Sequence, residues 1–453
     1  MTNLKSKTVL VWDNGVFPEF ARRLADSFDR VLFFAPWSGG YPVSKGLLIG
    51  SGDDKIERIV DPWPYIERDE IDLYFFGDVY EGNLQSYLRS QGKRVFGCGR
   101  GAELELDRIK AKEIMAKGGV PIGPYKEVIG IGALRKFLKA NDNQFVKIDA
   151  TRGDMETFHA PTYIRIEPRL DELEHSLGAQ AEIKRFVVEG GIDDAIEAGY
   201  DGYSIDGKFP KVAIAGIEVK DRAYVGRIMP YAKMPKQVVD VNVALSSSMK
   251  GYEYRGFFSN EVRITEDGKG YPIDLTARLG SPPSEVYQEM FTNIAEIVWY
   301  GAEGILIEPE YSDTWGAEVL MLSDWADKNW LHVEIPKEFR DNVKLRNFCV
   351  IEGENYVVPQ LCGAPEVGAI VATAKTAKEA IAKVKSIAEK VKGYNLEMPV
   401  DAMDAALVDL KDILGEASMK PAPKEQQKAE EMMRSGSISQ KQYERMADKA
   451  GWN

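Results

Sequence analysis

The sequence predicts an α/β domain with a doubly wound parallel sheet at the N-terminus, followed by α+β structure. Three observations support this fold class. Residues 1–102 alternate short apolar strands with helical patterns, which is typical of a parallel sheet covered by helices. Residues 181–275 are rich in strand patterns, and the acidic turn at 266–268 predicts a hairpin. Residues 330–395 combine short strands with an amphipathic helix.

In the N-terminal block, short apolar runs predict strands at 8–12, 30–35, 72–76 and 93–97, with helices at 17–28 and 83–91. Parallel sheets bind ligands at the carboxyl ends of their strands, where the loop 13–15 lies. This loop has no GxGxxG pattern, so the sequence gives little support to a dinucleotide site.

The rest of the chain is predicted from periodicity and from turn residues. The predicted helices are 103–117, 132–140, 284–300 and 377–392, and the predicted strands are 144–148, 182–188, 195–199, 212–219, 257–265, 270–275, 348–352, 356–359 and 368–373. The predicted domains are an N-terminal Rossmann-like domain at 1–102, a two-part central domain at 103–329, a C-terminal α+β domain at 330–400 and a polar tail at 401–453. After Met419 the composition predicts a linker or exposed helix, either simply solvated or a docking segment for a partner.

Composition excludes several classes of protein. The 453 residues carry a net charge of −13, which argues against binding to polymeric nucleic acid. The three cysteines are far apart and the three histidines are scattered, so neither a zinc site nor a disulfide framework is expected. No apolar stretch is long enough to span a membrane, and there is no signal-peptide pattern. We therefore expect a cytoplasmic protein.

The residues most indicative of chemistry lie in the predicted hairpin and the loop after it. Glu261 is on the first strand and Asp274 is at the end of the second, so strand pairing can bring the two carboxylates together. Two close carboxylates repel each other unless a cation lies between them, and Mg²⁺ takes oxygen ligands while keeping water or phosphate oxygens. Thr276 and Arg278 follow at alternate positions. An arginine there could neutralise a transferring phosphoryl group.

This stretch resembles the metal-binding end of the ATP-grasp superfamily, in which an acid on one strand precedes an E-x-N-x-R motif. Residues 274–283 read Asp-Leu-Thr-Ala-Arg-Leu-Gly-Ser-Pro-Pro. Within the superfamily they resemble the phosphoribosylamine–glycine ligase family, whose version is roughly E-F-N-x-R-F-G-D-P-E. The resemblance implies an ATP-grasp fold over about residues 1–395, with ATP and Mg²⁺ as cofactors.

Other segments follow in the order of the superfamily. The segment at 105–124 resembles the entry helix of the grasp, and the strand at 145–147 resembles the one whose lysine contacts the nucleotide phosphates. The resemblance implies that the loop at 149–157 covers the triphosphate, that the strand at 186–189 holds adenine through its backbone, and that an acid after this hinge strand binds ribose. The ATP-binding residues implied by the resemblance are Arg108, Lys147, Thr151, Arg152, Gly153, Val187, Val188, Glu189 and Glu197. It further implies that Lys220 and Arg278 are catalytic and that Glu261, Asp274 and Thr276 hold the metal.

The resemblance implies an ATP-dependent carboxylate–amine ligase that acts through an acyl phosphate on a small acid and an amine. Thr276 replaces the motif's asparagine, and Ser281 and Pro283 replace its last two acids, so we expect an altered substrate pocket. Two alternatives stay open. One is a nucleotide-binding or assembly module that has kept the fold and lost the reaction. The other is a ligase that modifies a free nucleotide.

Overall fold

The computed structural model describes residues 2–36, 48–149, 157–193, 195–359 and 366–414, together with residues 442 and 446. The predicted site residues Thr151, Arg152 and Gly153 and nearly all of the predicted tail lie outside the described residues. The chain divides into a unit at Met1–Asp409, which holds all the described sheets, and a unit at Leu410–Asn453, whose described residues are helical.

The N-terminal sheet has five strands in the order β3-β2-β1-β4-β5, and all of its pairs are parallel. Buried aromatic and aliphatic side chains cover both faces, as the near-continuous apolar strands require. The strands are β1 (Thr8–Trp12), β2 (Arg30–Phe34), β3 (Glu57–Arg58), β4 (Leu73–Phe76) and β5 (Val95–Phe96). The helices are α1 (Pro18–Ala25), α2 (Trp63–Glu67) and α3 (Gly82–Ser90).

A second, antiparallel sheet has the order β6-β9-β7-β8. Two helices pack against its apolar face and two short helices precede it. The strands are β6 (Tyr125–Ile129), β7 (Gln144–Ile148), β8 (Thr157–Ala160) and β9 (Arg185–Gly190). The helices are α4 (Glu103–Leu106), α5 (Arg108–Lys117), α6 (Ile131–Ala140) and α7 (Tyr163–Leu177).

The largest sheet has eight strands in the order β14-β13-β10-β11-β12-β15-β20-β17, and all of its neighbouring strands are antiparallel. The strands are β10 (Ala195–Ile205), β11 (Val212–Val219), β12 (Ala223–Pro230), β13 (Arg255–Thr265), β14 (Gly270–Thr276), β15 (Trp315–Leu322), β17 (Val343–Leu345) and β20 (Glu366–Ala374). The helices in this part of the chain are α8 (Lys236–Gly251), α9 (Pro283–Met290) and α10 (Ile294–Ala302).

The fourth sheet is small and has the order β18-β19-β16-β21. The strands are β16 (Leu331–Glu334), β18 (Phe348–Ile351), β19 (Glu354–Val357) and β21 (Lys392–Gly393), and the last helices are α11 (Ala377–Ala388) and α12 (Ala402–Leu414). Because β15 pairs with β20 along its length, the predicted central and C-terminal blocks share the largest sheet. The domain boundaries at 102, 329 and 400 stay predictions.

The predicted fold class is confirmed, but two predicted helices are interrupted. The helix predicted at 284–300 is two helices, because Phe291 bridges to Tyr311 and the Thr292 N–H donates to the carbonyl of Glu310. The helix predicted at 103–117 breaks at Asp107, which has a non-helical backbone and caps α5 with its side chain. Among the described residues, no helix is long and apolar enough to cross a membrane.

Candidate active site

The β13–β14 hairpin sets the geometry of the site. Glu261 pairs directly with Asp274 in its register, and Ser259 pairs with Thr276. Residues paired in this way project from the same face of a sheet. The register therefore places the two carboxylates and the Thr276 hydroxyl along one face, as the alternation in the sequence predicts. Their roles as metal ligands stay predictions.

Beside the hairpin is a recess that contains Arg108, Lys112 and Lys147, and we name it the basic recess after them, although three acids also line it. Lys147 on β7 donates to the carbonyl of Ile273, and its Nζ lies 3.8 Å from Oδ1 of Asp274. Arg108 on α5 donates to the carbonyl of Ile148 at 3.0 Å. The basic recess is lined by Leu104, Glu105, Arg108, Ala111, Lys112, Met115, Lys147, Glu189, Pro272, Ile273, Asp274 and Leu275.

Lys112 and Lys147 are both buried, and both face the carboxylate of Glu189. The distances to Glu189 Oε1 are 3.0 Å from Lys112 Nζ and 3.6 Å from Lys147 Nζ. Burial lowers the pKa of Lys112, although Glu189 opposes the shift. Glu189 and Asp274 already oppose these two ammonium groups, so an anion such as a phosphate would contact the lysines in place of these carboxylates.

A second recess on the largest sheet is rich in acidic groups, and we name it the acidic recess. Its walls come from β10, β11, β12 and β13, with one residue from the start of α9. It is lined by Glu197, Ala198, Gly199, Asp201, Gly216, Ile217, Glu218, Tyr224, Glu261 and Pro283. The hairpin therefore contributes Asp274 to the basic recess and Glu261 to the acidic recess.

Loss of water contact raises the pKa of each buried acid in the acidic recess. The pKa of Glu218 rises to about 7 and that of Asp201 to about 6, in both cases chiefly through burial. The pKa of Glu261 rises well above its usual range, first through burial and then through the charges of Asp274 and Glu197. Such mutual repulsion favours either protonation or the binding of a cation.

The two residues predicted to be catalytic have different environments. Lys220 lies in the turn between β11 and β12 with its side chain 76% exposed, and its Nζ is 3.8 Å from Glu218 Oε1. Arg278 is largely buried, and its Nε donates to Glu105 Oε1 at 2.9 Å. The other oxygen of Glu105 accepts the N–H of Ala277 at 2.7 Å, so α4 fixes the start of the loop that follows the hairpin.

The donor set of the hairpin fits magnesium in its chemistry. Glu261, Asp274 and Thr276 offer only oxygen atoms, which are the ligands that Mg²⁺ prefers. Within the described residues, no three acidic, histidine or cysteine side chains converge as a metal-binding group. A cation held by this pair would therefore need further oxygens from water or phosphate, which is usual for Mg²⁺ at nucleotide sites.

The structure shows where the residues assigned to adenine and ribose lie. Val187 and Val188 are on β9, which is paired on one side with β6 and on the other with β7. Glu197, assigned to ribose by the resemblance, lines the acidic recess, where it pairs with Arg263 across the strands. The roles of these three residues stay predictions.

Several buried polar residues were not found by the sequence reasoning. Asp201 and Glu218 line the acidic recess, and a fully buried acid, Glu318, lies on β15 near them. One signal was present, because Glu318 interrupts the apolar run of residues 315–322. A single acid in a strand that is otherwise buried is an exception that calls for a partner or a function.

Comparison of this architecture with solved structures shows that the chain has the ATP-grasp fold. A phosphoribosylamine–glycine ligase from Thermotoga maritima superposes with a TM-score of 0.64 at 16% identity, covering 86% of this chain and 98% of that one. The biotin carboxylase domain of the Hydrogenobacter thermophilus 2-oxoglutarate carboxylase, solved with MgADP and bicarbonate, superposes with a TM-score of 0.61 at 12% identity. That alignment covers 90% of this chain and 98% of the other.

A curated relative agrees with the predicted resemblance. The chain is similar to the phosphoribosylamine–glycine ligase of Streptococcus pneumoniae, with 24% identity over 308 residues, 63% of this chain and 72% of that protein. No family model matches the sequence. The similarity to this relative and to the solved structures confirms the resemblance that was predicted from the hairpin.

Proposed function

We propose that the chain is an ATP- and Mg²⁺-dependent ligase that joins a small carboxylate to an amine through an acyl phosphate. The observation that carries the proposal is the position of Asp274. It pairs with Glu261 across the hairpin, and it also lies 3.8 Å from the buried ammonium of Lys147. A nucleotide phosphate in the basic recess would therefore meet a lysine and a cation-binding carboxylate pair together.

The first step in this proposal is phosphoryl transfer. An oxygen of the substrate carboxylate attacks the γ-phosphorus of ATP, the bond to the β–γ bridging oxygen breaks, and ADP leaves. Phosphoryl transfer needs positioning and charge neutralisation more than a protein nucleophile. Lys112, Lys147 and Arg108 supply fixed positive charge at the basic recess, and Arg278 is held in place by Glu105.

In the second step the amine attacks the acyl carbon. A carbon–nitrogen bond forms, inorganic phosphate leaves with the electrons of the carbon–oxygen bond, and the amine loses a proton. Glu261, Asp274 and Thr276 would hold magnesium, which when bound neutralises charge on the phosphate oxygens.

The compared proteins support this proposal through their names. The Streptococcus pneumoniae and Thermotoga maritima proteins are named as ligases of phosphoribosylamine and glycine, and the Hydrogenobacter thermophilus structure contains MgADP. Ser281 and Pro283 stand where the phosphoribosylamine–glycine ligase motif has acids. This difference supports a different acid or amine substrate for this chain.

The test is ADP release from Mg-ATP by the full chain with pairs drawn from a panel of small acids and amines. The proposal expects that one pair gives ADP, inorganic phosphate and an amide in equal amounts. Asp274→Asn should abolish this turnover, whereas Asp267→Asn at the exposed tip of the same hairpin should retain it. ADP release that is as fast without the acid as with it, or turnover unchanged in Asp274→Asn, would contradict the proposal.

A specific feature favours a second candidate, a nucleotide-binding module without ligase activity. Lys112 and Lys147 already neutralise the Glu189 carboxylate, and Thr276 offers a hydroxyl where the motif has an amide. This candidate expects Mg-ATP to bind with no ADP release for any pair in the panel.

A further inference from the structure

Arg278 lies two residues after the β13–β14 hairpin, and two of its three guanidinium nitrogens are already engaged. Nε donates to Glu105 Oε1 at 2.9 Å, and Nη1 donates to the carbonyl of Leu279 at 2.9 Å. Nη2 makes no hydrogen bond to any residue that the structure describes, and it is not among the side-chain atoms that are fully shielded from solvent. The guanidinium therefore keeps one nitrogen available to a ligand.

Glu105 on α4 holds both the main chain and the side chain at this point. Its Oε2 accepts the N–H of Ala277 at 2.7 Å, while its Oε1 accepts Nε of Arg278. The guanidinium cannot turn away without breaking a charge-assisted hydrogen bond, which is among the stronger hydrogen bonds in proteins. The Glu105 side chain is 5% exposed and that of Arg278 is 14% exposed, so the carboxylate is the buried, fixed end of the pair.

The pair lies at the proposed nucleotide site. Glu105 lines the basic recess together with Lys147 and Asp274. Burial raises the pKa of Glu105, the charge of Arg278 opposes this rise, and the charge of Asp274 adds to it. The three charged groups are therefore within electrostatic reach of one another. Arg278 is thus close to the carboxylate that the proposed function assigns to the magnesium of the reacting phosphates.

A second arginine–glutamate pair shows what is unusual about this one. Arg30 gives Nε and Nη2 to the two carboxylate oxygens of Glu57, at 2.6 and 2.7 Å. In that two-bond pair the carboxylate takes up one whole side of the guanidinium. Glu105 instead accepts from Nε of Arg278 alone and gives its second oxygen to the backbone. This one-sided arrangement orients the Arg278 guanidinium and leaves Nη2 uncommitted.

We propose that Glu105 is a positioning residue, which holds Arg278 so that its Nη2 contacts the γ-phosphoryl group of ATP. This inference rests on the proposed function, and it adds a residue that the hairpin motif does not contain. Glu105 touches no substrate in this proposal. It fixes the direction of the donor before the nucleotide binds, so that neutralising charge on the phosphoryl group requires no reorganisation of the arginine.

The test compares the binding of two nucleotides to the full chain by calorimetry, each with magnesium. One is the non-hydrolysable ATP analogue AMPPNP, and the other is ADP, which lacks the third phosphoryl group. Glu105→Gln removes the charge that holds Nε of Arg278, so we expect AMPPNP to bind at least ten-fold more weakly because a charged hydrogen bond is lost. ADP should bind within two-fold of the parent. Equal losses for both nucleotides would overturn the proposal, since a purely structural role weakens the whole site.

A double-mutant cycle separates positioning from an independent effect. Arg278→Lys keeps a positive charge beside Glu105 but has a single nitrogen, so it should lose as much AMPPNP affinity as Glu105→Gln does. The double variant should lose no more than either single variant, because both changes remove the same contact. A hundred-fold loss in the double variant, the product of two independent effects, would overturn the proposal. Glu57→Gln, which breaks the surface pair with Arg30, is the matched control and should leave both Kd values unchanged.

Thermal unfolding shows which variants are folded. Glu105→Gln leaves a largely buried guanidinium without its carboxylate, so we expect a lower Tm for this variant. If it does not fold, Glu105→Asp takes its place, because aspartate keeps the charge but is one methylene too short to hold both the Ala277 N–H and Arg278. The same selective loss of AMPPNP affinity is expected for Glu105→Asp. Unchanged AMPPNP affinity in folded Arg278→Lys would overturn the proposal, since Nη2 would then contact no phosphate.

The failures of the two proposals give different results. Selective loss of AMPPNP binding in the variants, from a parent that forms no amide with any acid and amine pair, rejects the ligase and supports the positioning role. Amide formation by the parent, with equal losses for AMPPNP and ADP in Glu105→Gln, rejects the positioning role alone. A parent that binds neither nucleotide rejects both proposals.

Discussion

Asp274 lines the basic recess and pairs across the hairpin with Glu261, which lines the acidic recess. Its side chain is 48% exposed, so it is open to a ligand, whereas its partner Lys147 is nearly buried. A partly exposed carboxylate beside a buried ammonium can exchange protein contacts for ligand contacts at low desolvation cost. This gives Asp274 a clearer functional signature than its position in the sequence alone.

At the same scale, Lys147→Ala should reduce ligase turnover on the order of 10²–10³-fold, since it removes one fixed charge from the transferring phosphate. Lys269→Ala, an exposed lysine in the hairpin turn, is the matched control and should leave turnover unchanged. Steady-state ADP release measures both variants, and circular dichroism checks the fold. Turnover within a few-fold of the parent in Lys147→Ala would show that this lysine does not contact the reacting phosphate.

A second residue-scale prediction concerns the pH dependence of stability. Burial raises the pKa of Asp201 from 3.8 to about 6, so the folded state binds its proton more tightly than the unfolded state does. The free energy of unfolding should therefore fall as pH rises from about 4 to about 6, by on the order of 2 kcal/mol from this group. Asp201→Asn should remove that contribution, and urea titrations across this pH range would reveal it. Parallel pH profiles for parent and variant would refute the assignment.

At the scale of elements, the N-cap of α5 positions Arg108 and Lys112. Asp107 has a non-helical backbone, and its Oδ1 accepts the N–H of Lys110 at 3.1 Å. Asp107→Ala should lower the free energy of unfolding by about 1 kcal/mol, because it leaves an N-terminal N–H without its partner. Asp107→Ser should retain most of the stability, as measured by chemical denaturation. Equal stability of the Ala and Ser variants would mean that the cap contributes nothing.

Elements with one clear periodicity were predictable from the sequence, and interrupted elements were not. The predicted strands at 8–12, 144–148 and 212–219 coincide with β1, β7 and β11, since each is an apolar run bounded by polar residues. The break between α9 and α10 was missed because apolar spacing continues through it. It arises from a tertiary contact, the bridge from Phe291 to Tyr311, which local periodicity does not contain.

The part of the site that lies on a single hairpin could be predicted from the sequence, because its two strands are close together in the chain. The opposition of Glu261 and Asp274 follows from a short hairpin, so the sequence could place both acids on one face. The positions of Glu197 and Glu318 depend on the order of strands in an eight-stranded sheet, which the sequence does not show. Val187 and Val188 were assigned by analogy with a hinge, but pairing on both edges of β9 is again a property of sheet order.

At the scale of the whole molecule, the two recesses draw on different sheets. The basic recess draws on α4, α5, the antiparallel sheet of β6–β9 and the hairpin, while the acidic recess lies on the largest sheet. The hairpin contributes one acid to each. The proposed ligase activity requires ATP and the acceptor to bind close to the acids of this hairpin.

The most direct test of this account is thermal unfolding of the full chain with and without Mg-ATP, repeated on Asp274→Asn and on the control Asp267→Asn. A ligand at 100 times its Kd adds about 2.7 kcal/mol to the free energy of unfolding. We predict a rise in Tm that requires magnesium, persists in Asp267→Asn and is lost in Asp274→Asn. No rise at saturating Mg-ATP, or an equal rise in Asp274→Asn, would contradict the central claim that the hairpin acids and the basic recess form one nucleotide site.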